Sequence, residues 1–595
     1  MAPNLPSSGT STLLTMGNVV TIGLQLYLRH AREYLKLGLM AILWLLLPLV
    51  GTIGVLIVAS QGQSPGLIVL SIVLGAAGFT YGAAKYLAIS AAISRRSFCY
   101  LNQQAESIDD TRRYVDRRMW GFWRIAFFQS LLFLAVVIGV YIFTALLLVF
   151  VLFGVGGASI FQGDPEAFSD PQTAMLIGLI SIVFFVVLLA GMGYLLAWLT
   201  ARFMISEMGY AVEEDTPALS SLGRSWRLTR RNARRIMLGI MMVFLASLPI
   251  QVVLQLLIGA ASAGLTLALP DDAIAYTPLL MLVSYSLSIG VSVVLLPLWQ
   301  AIKAVLYYDL TERREGRSLD LSVSDRPGTP SVQPWLNHIT LLTPESVELD
   351  FTLAGVGNRS WALVLDYIFL VGGLMMFWLL WGWMSTALLD WIEDLGFAYD
   401  SAWIWVLAIA FLITFIIFTG YFVLFETLWQ GQTPGKRIMH IRVIQDNGQP
   451  VTLGQTTLRA LLRPVDDLLL IGALFIALGK REKRLGDWVA GTQVIQEDYA
   501  DPRLKLEISP SAGTLARKLS PSMHLDRLSP DQFVTLREYL QRRLMIDTQI
   551  QKELRLELAR QAKELVQLEQ VPEGVSADQF LEALYVAYQR QSDAR

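Results

Sequence analysis

The sequence predicts an all-α polytopic membrane protein: about eight spanning helices, one short re-entrant or interfacial helix, a small amount of β-structure and a soluble helical appendage at the C-terminus. Three observations carry that prediction. Of 595 residues, 54% are hydrophobic and only 16% charged, with a mean hydropathy of +0.50, whereas soluble domains carry roughly 25% charged residues. Apolar stretches at about 37–59, 66–93, 125–153, 173–205, 236–268, 276–307, 361–389 and 402–427 each exceed the ~20 residues that a helix needs to cross a bilayer. The connections between them alternate in charge.

That alternation sets an orientation. Segments 60–65, 155–172, 269–275 and 391–401 hold no Lys or Arg, and the last three carry Asp164, Glu166, Asp170, Asp271, Asp272, Glu393, Asp394 and Asp400. The intervening connections are basic: Arg29, Arg32 and Lys36; Arg95 to Arg124; Arg224 to Arg235; Lys436, Arg437 and Arg442. Because cytoplasmic loops are enriched in Lys and Arg, the basic loops and both termini are expected on the cytoplasmic side. A ninth apolar stretch, LLLIGALFIALG (468–479), precedes KREKR (480–484). Its dozen residues would reach about 18 Å as a helix, short of the ~30 Å hydrocarbon core. Crossing would also place KREKR outside, so the stretch reads as re-entrant or interfacial.

Composition also excludes several chemistries. Cys99 is the single cysteine, so neither an intrachain disulfide nor a Cys-based metal site is available. The four histidines, His30, His338, His440 and His524, have no metal-binding spacing. The start MAPNLPSSGTSTLL lacks the basic and apolar regions of a cleaved signal peptide. No catalytic triad, carboxylate pair or metal constellation stands out. The chain therefore reads as a non-enzyme with no cofactor and no nucleic-acid partner.

Residues 1–325 form one membrane domain in this reading, built from three helical-hairpin repeats. Each opens with a basic elbow: YLRHAREYLK (27–36), RRYVDRRMWGFWR (112–124) and RSWRLTRRNARR (224–235). Each closes with a cation near the inner end of its second span: Lys85, Arg202 and Lys303. These three either snorkel to the interface or converge on a cavity where they meet anions or lipid phosphate. The elbows suit anionic lipid head groups. The stretches GNVVTIGLQLYLRH (17–30), RSWRLTRRNARRIMLG (224–239) and YYDLTERREGRSLD (307–320) resemble the bacterial membrane domain found beside some glycerophosphodiester phosphodiesterases. That resemblance implies no chemistry, since the catalytic domain is missing.

A second domain spans 335–500. ITLLTPESVELDFTLAG (339–355) alternates apolar and polar residues, which predicts a strand or hairpin. IMHIRVIQDNGQPVTL (438–453) offers two short strands about Asn447-Gly448, a hairpin signal, and TQVIQ (492–496) offers another strand. GQTPGK (431–436) has three residues between its glycines and no Ser or Thr after the lysine, so it reads as a turn and not as a phosphate-binding loop. Together NRSWALVLDYIFL, GQTPGKRIMHIRVI, LRALLRPVDD and KRLGDWVAGTQVI resemble the RDD family in motif order. The resemblance implies a bacterial and archaeal membrane module of three spans and largely unknown function, for which ion or solute transport has been proposed. It places the family's arginine and first aspartate at Arg359 and Asp366, and its second at Asp487 or Asp466, with Asp487 favoured by LGDWVAGT.

Within this domain Arg359 and Asp366 are seven residues apart, so they share a helix face about 10 Å apart, which suits a common third partner. An unpaired carboxylate inside a span costs several kcal/mol or takes up a proton. Arg459, Arg463, Asp466, Asp467 and Asp487 are the expected company. The cluster reads either as a buried salt-bridge network or as an ion- or proton-binding site. Residues 501–527 read as a linker, and 528–595 as a cytoplasmic helical domain that packs on itself or docks a protein partner. Two functions remain open: carriage of a small ion or solute through a site involving Asp366, and a non-catalytic scaffold.

Overall fold

In a computed structural model the described residues are 14–594 without 62–64, 105, 162–170, 215, 231, 269–272, 317–318, 320, 322–334, 343–347, 395–398, 468–470, 480 and 498–505. Asp164, Glu166, Asp170, Asp271 and Asp272 of the acidic loops thus lie outside the described residues. In chain order the elements begin α1 (Met16–Arg29), α2 (Ala31–Gln61), α3 (Pro65–Leu101), α4 (Ile108–Arg117), α5 (Met119–Phe161) and α6 (Pro171–Phe203). Next come α7 (Ser206–Val212), α8 (Ser220–Thr229), α9 (Ala233–Ala268) and α10 (Ala273–Glu315). The order continues with β1 (His338–Leu342), β2 (Glu348–Thr352), α11 (Val356–Asp394), α12 (Tyr399–Leu428), α13 (Pro434–Ile438), β3 (Ile441–Gln445), α14 (Leu453–Asp467), α15 (Ile471–Leu478), α16 (Leu485–Ala490) and β4 (Thr492–Gln496). Four helices close the chain: α17 (Pro510–Leu519), α18 (Pro530–Arg542), α19 (Thr548–Leu565) and α20 (Ala577–Ala594).

Among the described residues seven helices are long and apolar enough to cross a membrane: Ala31–Leu56, Pro65–Leu101, Met119–Leu147, Val183–Val212, Ser288–Glu315, Val356–Ile392 and Trp403–Leu428. They match seven of the eight expected spans. The remaining one, 236–268, falls in α9, whose apolar run Gln251–Gly264 is shorter. Their apolar side chains face outward. Trp383 is 80% exposed, an arrangement that water would penalise and lipid accepts. Helix α15 has only eight residues, about 12 Å of rise, so it does not cross.

Two compact units result. One comprises 32–98 and 106–240. Here Ala88, Ala91 and Ala92 of α3 are small enough for Val115, Phe122, Tyr210 and Ala211 to close on them in one core. Basic side chains here hold the backbone at the end of α7 and just beyond it. Arg118 donates to the carbonyls of Glu213 (2.9 Å) and Thr216 (3.1 Å), and Arg95 donates to the Ala211 carbonyl (2.8 Å). These carbonyls lie at or just beyond the end of α7, where helical partners run out.

The other unit comprises 1–31, 99–105 and 241–595. Helix α1 is buried on all sides from Met16 to Leu24, with Ile22 and Leu26 at 0% exposure. It meets α11 so closely that a Cβ on Gly357 would lie 2.6 Å from the Gly17 carbonyl, and the Asn358 amide donates to Asn18 at 3.1 Å. Strands β1 and β2 pair antiparallel, as their alternation predicts. Strand β3 departs from expectation. Its partner is β4, in register Ile441↔Gln496 to Gln445↔Thr492, and the turn at Asn447-Gly448 returns only far enough for the bridge Ile444↔Pro450. The long-range pairing wins because it buries Ile441, Val443 and Val494 with Ala354 and Ala362.

The expected linker also departs. Pro510–Leu519 is a helix whose Ala512, Ala516 and Leu519 are buried. Ala516 and Leu519 belong to the core that holds Leu536, Leu558, Phe580 and Leu584, together with Leu319 and Leu321. Proline and serine here start a helix: Ser509 stands at the N-cap and Pro510 in the first turn. Residues 501–505 of that stretch lie outside the described residues.

Candidate functional site

The site is built where α11 begins, where α12 ends, and where α13, α14 and α16 pack against them. Asp366 lies nearly three turns into α11 and is 1% exposed. Its carboxylate carries no arginine. Oδ1 accepts from the Tyr421 hydroxyl (3.0 Å) and the Gly435 amide (2.8 Å), and Oδ2 accepts from the Thr433 hydroxyl (2.6 Å). The turn GQTPGK explains this. Thr433 caps α13, Pro434 occupies its first turn, and Gly435 lets backbone reach backbone: a Cβ there would sit 2.2 Å from the Ala362 carbonyl.

Arg359 and Asp366 share no partner, contrary to expectation. Arg359 reaches Asp487 (2.8 Å) and the Ala354 carbonyl (2.9 Å). Asp487 is fully buried and accepts also from Arg459 (2.5 Å) and from the Arg484 backbone amide (3.2 Å). Burial works to raise the Asp487 carboxyl, but Arg459, Arg359 and Arg484 outweigh it and hold it below the usual carboxylate range. Arg459 continues to Glu426 (3.2 Å), which also pairs with Lys436. Burial pulls the Lys436 ammonium down to about 8, against the opposite pull of Glu426.

The remaining expected residues join the same network at its edge. Asp466 accepts from the amides of Leu485 (3.1 Å) and Gly486 (3.0 Å) at the start of α16, with Arg484 3.6 Å away. Burial raises its carboxyl despite those donors. Arg463 pairs with Asp467 (3.2 Å) and lies 3.3 Å over the Phe422 ring, while Asp467 accepts from the Tyr367 hydroxyl (2.5 Å). A cavity of about 80 Å³ is lined by Arg359, Asp366, Arg463, Asp466, Asp467 and Arg484, with Gly472, Ala473 and Ile476 of α15 as its apolar wall.

The structure thus brings Arg359, Asp366, Arg463, Asp466 and Asp467 around one small void, with Asp487 behind it as the partner of Arg359 and Arg459. The other expected cations are engaged separately. Lys85 pairs with Asp116 (3.1 Å); Arg202 lies 4.3 Å over the Trp226 ring and 3.4 Å from the Thr229 hydroxyl; Lys303 is half-buried on α10. Sequence reasoning missed Glu426, Tyr421, Thr433 and Arg484, and counted Lys436 among the basic residues of a connection, whereas it is buried against Glu426. A signal for Glu426 existed: it is the single acid between Ala402 and Leu428, and intramembrane carboxylates are rare without a role. Among the described residues no group of His, Cys, Asp and Glu could hold a metal ion.

No curated protein and no solved structure matches the chain. The resemblance of the first half to a phosphodiesterase-associated membrane domain rests on its sequence motifs alone. Residues 353–491 match the model of the RDD family. That stretch contains Arg359, Asp366 and Asp487, so the cavity and its charge network lie in an RDD family domain.

Proposed function

We propose that the chain is a multi-pass protein of the bacterial inner membrane that carries a small charged solute or ion, without catalysis, through the RDD domain. The observation supporting this reading is the cavity itself: a void of about 80 Å³ beside two apolar helices, lined by ionisable side chains that an inert helix contact would not need. Asp366 takes a different part from the one its sequence position suggests. Three neutral donors already bind it, so on this reading it chiefly holds the 433–435 turn in place beside the lining arginines and Asp466 that meet the solute.

Reconstituted vesicles test this. Wild-type protein should dissipate an imposed ion or pH gradient, and Ala473→Leu, which fills the cavity from its apolar wall, should reduce the flux while the protein remains folded. A wild type that passes no ion sinks the reading. On this reading the basic ends, including 112–124, 224–235 and 436–442, face the cytoplasm, as their charge suggests; single cysteines introduced there in a Cys99→Ser background should label from the inside only.

A second reading, a scaffold docking a cytoplasmic protein through 528–595, is supported by Leu544 in the turn after α18 and Leu556 on α19, which stay 65% and 61% exposed. Deleting 501–595 should then remove partners from a pull-down; an unchanged set counts against it.

A further inference from the structure

Glu482 is the one acid in the run KREKR (480–484), and unlike the two basic residues that follow it, it pairs with no opposite charge among the described residues. Lys483 reaches out to Asp446 (2.6 Å) and Arg484 lies between Asp466 (3.6 Å) and Asp487 (3.5 Å). The Glu482 backbone sits at φ +50°, a left-handed conformation that a residue with a Cβ adopts at a cost of about 1 kcal/mol. The surroundings hold it there with the side chain 4% exposed.

The surroundings of that carboxyl are incomplete for an anion. Oε1 accepts from the Asn337 amide (2.7 Å) and the Gln25 amide (3.3 Å). Oε2 is buried with no hydrogen-bond partner, and so is Gln25 Oε1. Among the described residues the facing charges are few. From α11 there is Arg359, whose Nη1 is committed to Asp487 and whose Nη2 is itself buried and unpartnered. From α1 there is the neutral Gln25; Arg29, one turn on, lies 4.9 Å over the Trp335 ring. From the segment before β1 there is the neutral Asn337. A buried carboxylate with one bare oxygen loses hydration that nothing returns. A neutral carboxyl does not: its Oε2–H becomes a donor, and the bare Gln25 Oε1 is an acceptor on the amide that already donates to Oε1.

We infer that Glu482 is a proton-binding site, with the proton held on Oε2 and shared with Gln25 Oε1 in a paired acid–amide ring. Burial pushes this carboxyl above the usual carboxylate range, and Arg359 and the two amides pull it back only in part. The site joins α1 to the RDD domain, because Gln25 belongs to the one and Glu482 to the other. Loss of the proton leaves Glu482 charged and drawn toward Arg359, and so loosens the Gln25 contact. A role in carriage rests on the transport reading above; proton binding itself does not.

The experiment is a pH titration of the full chain in lipid nanodiscs, read by difference infrared spectroscopy in the protonated-carboxyl carbonyl region. A band should titrate above the ordinary glutamate range, vanish in Glu482→Gln, and persist in Asp366→Asn and Asp466→Asn. Should Glu482→Gln fail to fold, Gln25→Leu serves instead and should shift the band in frequency and midpoint. A band that survives Glu482→Gln, is lost in Asp466→Asn, or is unmoved by Gln25→Leu overturns the assignment, as does a wild type without the band. A band assigned to Glu482 in a protein that passes no ion supports the site and rejects the transport reading.

Discussion

Replacing Asp487 by asparagine keeps its size and removes the one charge that Arg359 (2.8 Å) and Arg459 (2.5 Å) share. The two arginines do not lose equally. Arg459 retains Glu426 at 3.2 Å, whereas Arg359 is left with the Ala354 carbonyl. The change therefore strands one buried guanidinium and not two, a penalty of about 3–5 kcal/mol. The asparagine oxygen can still accept the Arg484 amide that caps α16; Asp487→Ala loses that bond as well, for about 1 kcal/mol more. At a few degrees per kcal/mol for a domain of this size, Asp487→Asn should lower the melting temperature by about 10 °C. Thermal unfolding of the detergent-solubilised chain, followed by tryptophan fluorescence, measures it. Adding Arg359→Gln should return part of the loss, since the stranded charge goes too. A melt for Asp487→Asn at the wild-type temperature, or a double variant no more stable than the single one, refutes the reasoning.

Three further outcomes follow from the same contacts. Gly435→Ala puts a Cβ 2.2 Å from the Ala362 carbonyl and 2.9 Å from Asp366 Cγ, so α13 must withdraw and its amide leaves Asp366; a loss of about 1–3 kcal/mol is expected in the same melt. Arg542 is 1% exposed and donates to the Glu312 carbonyl at the end of α10; Arg542→Met should speed hydrogen exchange in α18 to α20 and leave α11 to α16 unchanged, and a uniform change across both would count against it. The Ser509 hydroxyl and amide and the Arg543 guanidinium outweigh burial and hold the Glu582 carboxyl below its usual range. Because its folded value lies below the unfolded one, this carboxylate stabilises the C-terminal helices above the ordinary glutamate range and ceases to as pH falls through the folded value. Glu582→Gln should flatten that acid limb of stability; an unchanged limb refutes the assignment.

The legible part of the site was its membership and the illegible part was its pairing. Arg359, Asp366, Arg463, Asp466, Asp467 and Asp487 do gather, and Arg359 does meet the favoured Asp487. Yet periodicity, which placed Arg359 and Asp366 on one helix face, suggested a common partner that does not exist. A face fixes direction only, and each side chain bonds whatever another element presents: a distant aspartate for Arg359, and two hydroxyls and an amide for Asp366. Glu482 was passed over inside a basic run because charge is counted by segment in a sequence, whereas its burial depends on Gln25 and Asn337, 457 and 145 residues away.

The same division holds for the fold. Spans, basic elbows and the shortness of α15 could be read from the chain because each depends on local composition measured against the thickness of a bilayer. The pairing of β3 with β4, the helix within the expected linker and the docking of Arg542 on Glu312 could not. Each is a choice among partners far apart in sequence, decided by which arrangement buries more apolar surface and leaves fewer polar groups bare. By itself the sequence determined that this protein lives in a membrane and where its charges collect. Only the tertiary structure decided which of those charges neutralise one another, because that depends on distances of a few ångströms between segments the sequence does not align.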